Sequence, residues 1–215
     1  MKIKYLAHAA FLITAENGTR IVTDPYNAGG GLKYGAIKET AEIVTVSHEH
    51  GDHNNVSAVK GSPQVVKTGG EVKGIKIKTV LAAHDDKNGS QRGKNTIFCF
   101  EVDGVNVCHA GDLGHELSAD QVKAIGRVDA LMIPVGGFFT IDARTATKVC
   151  DQLKPRVILP MHYKTDKADF PIAGVDEFLK GKSSVTRSND SEIELKAGKL
   201  PAATQIIVLE PSLLL

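Results

Sequence analysis

Ile43-Val44-Thr45-Val46-Ser47-His48-Glu49-His50-Gly51-Asp52-His53 reads as a buried strand that ends in a turn crowded with metal ligands. A solvated turn would mix carboxylates with lysines. Three imidazoles packed beside one aspartate within six residues need a compensating charge, and a divalent cation supplies it. Neutral imidazole nitrogen and carboxylate oxygen suit zinc, and also manganese and iron; no cysteine in the turn tips the choice.

The helical zinc-protease pattern H-E-x-x-H fails here, because its second histidine would fall at position 52, which is Asp. His48 and His50 are two apart, a strand or loop spacing. A strand end can therefore direct both at one ion while the turn carries Asp52 and His53 to a second. Two ions fit this spacing better than one.

H-x-H-x-D-H after a hydrophobic strand resembles the signature of the metallo-β-lactamase superfamily. Further along the chain, Thr23-Asp24-Pro25 is similar to the first motif of that family, His84 to the third, Ala110-Gly111-Asp112 to the fourth and Met161-His162-Tyr163 to the fifth. The runs His109 to Asp112, Ile133 to Thr140 and Pro160 to Tyr163 resemble more narrowly the branch that contains the ascorbate-6-phosphate lactonases. The resemblance implies an α+β fold, a four-layer αββα sandwich of two mixed β-sheets with helices on the outer faces. It also implies a metal-dependent hydrolase with two divalent ions, zinc first, with manganese or iron as alternatives. One ion would take His48, His50 and His84, the other Asp52, His53 and His162. Asp112 would lie between them, and a bridging hydroxide would act as nucleophile. Asp24 would orient the metal-binding turn from behind, and His109 would sit in the core or in the second shell. Asp52 is the expected catalytic group, holding the proton of the nucleophile and passing it to the leaving group.

At 215 residues, 42% of them hydrophobic, the chain can bury a full core as one domain over residues 1–215. A net charge of +1 gives no concentrated basic face, so nucleic acid is not an expected partner. No apolar run reaches a transmembrane length, and Met1-Lys2-Ile3-Lys4-Tyr5 enters strand-like sequence without the apolar segment of a signal peptide. Cys99, Cys108 and Cys150 are odd in number and scattered, and read as free, buried thiols of a cytoplasmic protein, with Cys99 and Cys108 on adjacent strands. Homo-oligomerisation stays open.

Periodicity fills in the rest. A meander is expected over residues 2–23 with a turn at Glu16-Asn17-Gly18, and the glycine-rich stretch from Tyr26 to Glu39 reads as a mobile rim. A short helix is expected from Asn54 to Lys60. Ile75 to Leu81 alternates strictly and delivers His84 to a strand end, with Asp85 or Asp86 to orient it. Asp103-Gly104 signals a two-residue hairpin, and Asp142 caps a helix that Pro155 stops. His8, between the first two strands, is assigned a structural place or one at the pocket rim. Lys87 to Lys94 reads as a flexible polar loop that offers Arg92 and Lys94 to an anionic substrate; Lys164 adds charge, and His115, Thr140 and Tyr163 complete the candidate substrate residues. Phe138 and Phe139 are read equally as core packing or as a substrate wall.

The substrate expected from this reading is a small anionic ester, lactone or phosphodiester. Two rival readings come from other classes: an iron-dependent redox enzyme, which would normally work with a flavin domain for which the chain has no room, and a catalytically idle metal-binding or ligand-sensing protein.

Overall fold

The computed structural model describes residues 1–214. The chain begins with β1 (Lys2–Ala7), β2 (Ala10–Thr14), β3 (Arg20–Thr23), β4 (Ile43–Thr45) and β5 (Gln64–Val66), which lie side by side in one sheet. The first three strands pair antiparallel, and β3, β4 and β5 pair parallel. Alternation decides what each face buries. Ile3, Tyr5, Phe11, Ile13, Ile21 and Ile43 join the large core between the sheets, while Leu6, Leu12, Val22 and Val44 face a second, smaller cluster. That outer cluster is roofed by the stretch carrying Leu32, Tyr34 and Ile37, which packs there without forming a helix.

The second sheet starts with β6 (Gly70–Val72), β7 (Ile75–Ala83), β8 (Lys94–Val102) and β9 (Val105–His109), all antiparallel neighbours. Asp103 and Gly104 both have positive φ, 51° and 75°, as the two-residue turn joining β8 to β9 requires, and they fix the register Val102 to Val105. Crossovers through α1 (Ala119–Ile125) and α2 (Ala143–Leu153) then add β10 (Ala130–Pro134) and β11 (Val157–Met161) in parallel. After α3 (Val175–Leu179) come β12 (Val185–Arg187), β13 (Glu192–Glu194), which returns to pair with β1, and β14 (Gln205–Val208), which lies between β11 and β12. Both sheets are mixed, as the fold expectation requires, and the helices among the described residues are few.

Local chemistry explains the helix ends. Ser118 and Gln121 close a capping box on α1, and the Asp142 carboxylate accepts the Thr145 N–H at 2.8 Å on α2. α2 stops at Lys154, in the left-handed region at φ 48°, just before Pro155. The helix expected over 54–60 is one short 3-10 turn, Val56–Ala58, because Asn, Val and Ser are weak helix formers and Gly61 ends the run. Among the described residues no helix is long and apolar enough to cross a membrane.

Candidate metal centre

β1 and β3 run the same way in the first sheet, both antiparallel to β2, and β4 follows them; β7, β9, β10 and β11 share a direction in the second. Their C-terminal ends therefore gather at one edge, the position where open sheets place ligand sites. His8 follows β1, Asp24 follows β3, Ser47 and His48 follow β4, His84 follows β7, Asp112 follows β9 and His162 follows β11.

Asp24 is fully buried and holds the metal-ligand turn from behind. Its Oδ1 accepts the Ser47 N–H at 2.8 Å, and its Oδ2 accepts the Ser47 hydroxyl and the His53 Nδ1–H, the latter at 2.9 Å. Ser47 Oγ in turn accepts from His48 Nδ1 at 2.9 Å. One carboxylate thus fixes the tautomer of two imidazoles and turns both Nε2 atoms towards the centre. Ser47 escapes a sequence reading because it precedes the motif as an ordinary strand-end serine.

Asp112 stands in the middle. Its Oδ2 lies 3.2 Å from His53 Nε2, 3.2 Å from His84 Nε2, 3.4 Å from His162 Nε2 and 3.8 Å from His48 Nε2. Buried Asn95 sets that position, accepting the Asp112 N–H at 3.0 Å and donating to Ala110 O at 2.8 Å. A Cβ at Gly111 would fall 2.3 Å from Asn95 Oδ1 and 2.6 Å from Ser47 Cβ, so only glycine lets this turn lie so close. His109 donates from Nε2 to Ala9 O at 2.8 Å and accepts Gly111 N–H at Nδ1, which keeps it in the core with both nitrogens used.

The donors form three overlapping groups whose ligand atoms lie within 4.8 Å of one another: His48, His50 and His84; His8, Asp52, His53 and His162; and Asp24, His48 and His53, the last being the set that Asp24 orients from behind. His48 Nε2, His53 Nε2 and Asp112 Oδ1 are buried and make no hydrogen bond. Orphaned polar atoms of this kind are costly unless a ligand satisfies them, and imidazole with carboxylate is a donor set that divalent metal accepts. Burial, reinforced by the neighbouring His53, pushes His48 down to about 3, which keeps it neutral as a ligand must be. Burial works against both charges of the Asp112–His53 pair. Even so, His162 and His53 hold the Asp112 carboxyl well below its usual range, and Asp112 followed by Asp24 raises His53 well above the imidazole range.

His8 takes the structural one of the two places expected for it, not the rim. It is buried in a left-handed conformation, φ 56°; its carbonyl accepts the Tyr5 hydroxyl at 3.0 Å and the His162 N–H at 2.9 Å. Its ring centroid lies 4.1 Å from that of His162, and its Nε2 lies 3.2 Å from Asp52 Oδ2. No motif spacing marks it, since it reaches the centre only through the clasp between the β1–β2 turn and the turn after β11.

Above the centre opens a cavity of about 600 Å³ with His50, Asp52, His84, Asp112 and His162 on its floor. Arg92, Phe139 and Phe170 line it, together with Asn27 to Gly30 and Leu32 of the glycine-rich stretch. Lys94 instead lines a neighbouring depression that shares His50 and Arg92 with this cavity. Lys164 is used internally, donating to Phe170 O at 3.0 Å. His115 accepts Ala83 N–H and holds the end of β7; Tyr163 is buried against Tyr5, and Thr140 bonds its neighbour's carbonyl. Of the six substrate candidates only Arg92 lines the cavity. The adjacent aromatics divide, Phe139 facing in and Phe138 left 62% exposed.

The loop before β8 is organised rather than loose. Both oxygens of Asp85 accept backbone N–H groups, from Lys87 and Gly89 at 2.8 Å and from Gln91 and Arg92 at 3.0 and 2.8 Å. Asp85 serves this loop and not His84.

Residues 2–162 match the beta-lactamase superfamily domain. A UPF0173 metal-dependent hydrolase of Carboxydothermus hydrogenoformans is 32% identical over 205 residues, 82% of this chain and 88% of that protein. Another from Thermococcus onnurineus is 30% identical over 193 residues, 77% and 85% of the two chains. The crystal structure of a Thermotoga maritima protein, described as a candidate zinc-dependent hydrolase of the metallo-beta-lactamase superfamily, is 40% identical with a TM-score of 0.81, covering 97% of this chain and 98% of that one.

Proposed function

The chain belongs to the beta-lactamase superfamily and is a metal-dependent hydrolase, and from this premise we propose that it hydrolyses a small anionic ester, lactone or phosphodiester at a centre for two divalent ions, zinc in the first instance. The observation that carries the proposal is that, apart from the set oriented by Asp24, the donors lie in a His48, His50, His84 group and a His8, Asp52, His53, His162 group, with the Asp112 carboxylate within 3.8 Å of imidazoles from both. His48, His50 and His84 would hold one ion, and Asp52, His53 and His162 the other, with the Asp112 carboxylate reducing the repulsion between them. When bound, such ions lower the pKa of water near neutral pH and stabilise the oxyanion that develops on a carbonyl or phosphoryl centre.

The protein groups do the remaining work. Asp24 and Ser47 hold His48 and His53 in the metal-facing tautomer. Asp52 is half-buried at the cavity floor, where its carboxylate can take the proton of the attacking water and pass it to the leaving oxygen. A net charge of +1 gives no reason to expect a broad basic face, which favours a small molecule over a polymer.

A screen of metal-loaded protein against lactones, phosphodiesters and phosphorylated sugars should find turnover that chelation removes and metal restores. Asp52→Asn keeps the shape but not the charge or basicity, so kcat of the variant, measured at metal saturation, should fall by at least ~10². Normal turnover by a metal-replete variant would exclude the proton relay; no turnover in the whole screen would contradict the substrate reading.

A further inference from the structure

The floor of the cavity is polar, and an apolar face stands over it beside Asn27, Gln91 and Arg92. Phe139 and Phe170 meet edge to face, centroids 5.8 Å apart at 81°, and Leu32 continues the apolar surface. Gly29 and Gly30 contribute only backbone. Arg92 is the one lysine or arginine among the lining residues, with its guanidinium carbon 5.6 Å from the Phe139 ring centre. It has no carboxylate partner among the described residues. Of the other cations nearby, Lys164 is committed to Phe170 O, Lys33 to Asp169 at 3.0 Å and Lys67 to Glu49 at 2.6 Å, and Lys94 lines the neighbouring depression rather than this cavity.

The aromatic wall is built, not incidental. Gly31, at φ 105°, lies so close to Phe170 that a Cβ would come within 2.7 Å of the ring; its carbonyl accepts Asp169 N–H at 2.7 Å, and Leu32 bridges to Ala168. The glycine-rich stretch and residues 168–170 therefore form one continuous wall. On the other side Gly137 and Phe138 both adopt positive φ, 67° and 63°. Left-handed backbone is uncommon for a bulky residue, and here it accompanies a turn that places Phe139 in the cavity while Phe138 stays outside.

We propose that the site selects a carboxylic ester or lactone that bears one negative charge and a phenyl-sized apolar group, with Phe139 and Phe170 as specificity residues for the apolar group and Arg92 for the charge. This rests on the hydrolase reading above. A polyhydroxylated phosphorylated sugar would meet one guanidinium and only the Asn27 and Gln91 amides above the floor, and the hydroxyls turned to the aromatic face would have no partner there. A substrate with one carboxylate and a flat apolar ring leaves no polar group unpaired on that wall, and arginine can grip the carboxylate through two parallel hydrogen bonds.

The test is a two-by-two set of methyl esters followed by pH-stat with the zinc-loaded protein: methyl acetate, methyl phenylacetate, monomethyl succinate and monomethyl phenylsuccinate. The phenylsuccinate ester should exceed each of the others in kcat/KM by at least about tenfold. Phe139→Ala and Phe170→Ala should collapse the preference for phenyl over non-phenyl esters, whereas Arg92→Met should collapse only the preference for charged over neutral ones. A phenyl preference untouched by either aromatic variant, or a higher kcat/KM for the methyl ester of 3-phosphoglycerate, would overturn the proposal. Calorimetric binding of phenylsuccinate and succinate separates this proposal from the hydrolase reading. If no ester turns over but phenylsuccinate binds at least about tenfold tighter, and Phe139→Ala abolishes the difference, selectivity stands and hydrolysis fails. Turnover with equal binding of the two acids means the reverse.

Discussion

Asp24 does not line the cavity, yet its carboxylate determines how two of the imidazoles in the metal centre are turned. The same logic applies to His8, whose Nε2 reaches Asp52 while its carbonyl holds the His162 backbone. His8→Ala should leave the His48, His50, His84 group intact and weaken metal at the other group by roughly 10–100-fold, the usual effect of removing an orienting partner; competition with a chromogenic chelator reads this directly, and unchanged affinity in a folded variant would return His8 to a packing role. The candidate ligands were legible because chemistry crowds them: His48, His50, Asp52 and His53 stand in one turn. Of their supports, Asp24 was read from the family resemblance and the others were not. Ser47, Asn95 and His8 are common residues at unremarkable spacings, and they reach the centre only when separate strand ends are brought together by folding.

Among the elements, the Asp85 loop shows how a local device sets a distant side chain. Burial alone would raise the Asp85 carboxyl, but N–H groups of Arg92, Gly89, Lys87 and Gln91 hold it down at about 2. The folded value lies below the unfolded one of about 4, so this stabilisation is present above pH ~4 and fades as pH falls through about 2. Asp85→Asn keeps one acceptor but turns an amide N–H₂ towards N–H donors. The variant should be less stable than wild type at pH 7, with the difference shrinking between pH 4 and 2 in urea titrations. Displacing Arg92 should also lower kcat/KM by about 10-fold or more. A constant difference across that pH range would show that the carboxylate charge is not what holds the loop. Sequence offered a flexible polar loop here, because four backbone donors converging on one aspartate leave no compositional trace. Long alternating strands such as β7 were legible, whereas β12, only Val185-Thr186-Arg187 at a sheet edge, has too few residues to show a period.

Across the whole molecule, two sheets joined by one core bring strand ends from positions 8 to 162 to a single edge, so the metal centre also ties the sheets together. Removing metal would leave Asp112 and several imidazoles buried against one another. At free metal of 100 times Kd each bound ion stabilises by about 2.7 kcal/mol, so chelation of both should lower Tm by roughly 10–20 °C, reversibly on adding zinc. An unchanged Tm would mean that the cluster holds itself together without a cation.

The most direct test of the binuclear centre is metal content by elemental analysis after saturation and removal of free ion, made on wild type, His84→Ala and His109→Gln. Two ions per chain in wild type, one in His84→Ala and two in His109→Gln are expected from the two donor groups and from the core position of His109. One ion per chain in wild type at saturation would contradict the binuclear centre.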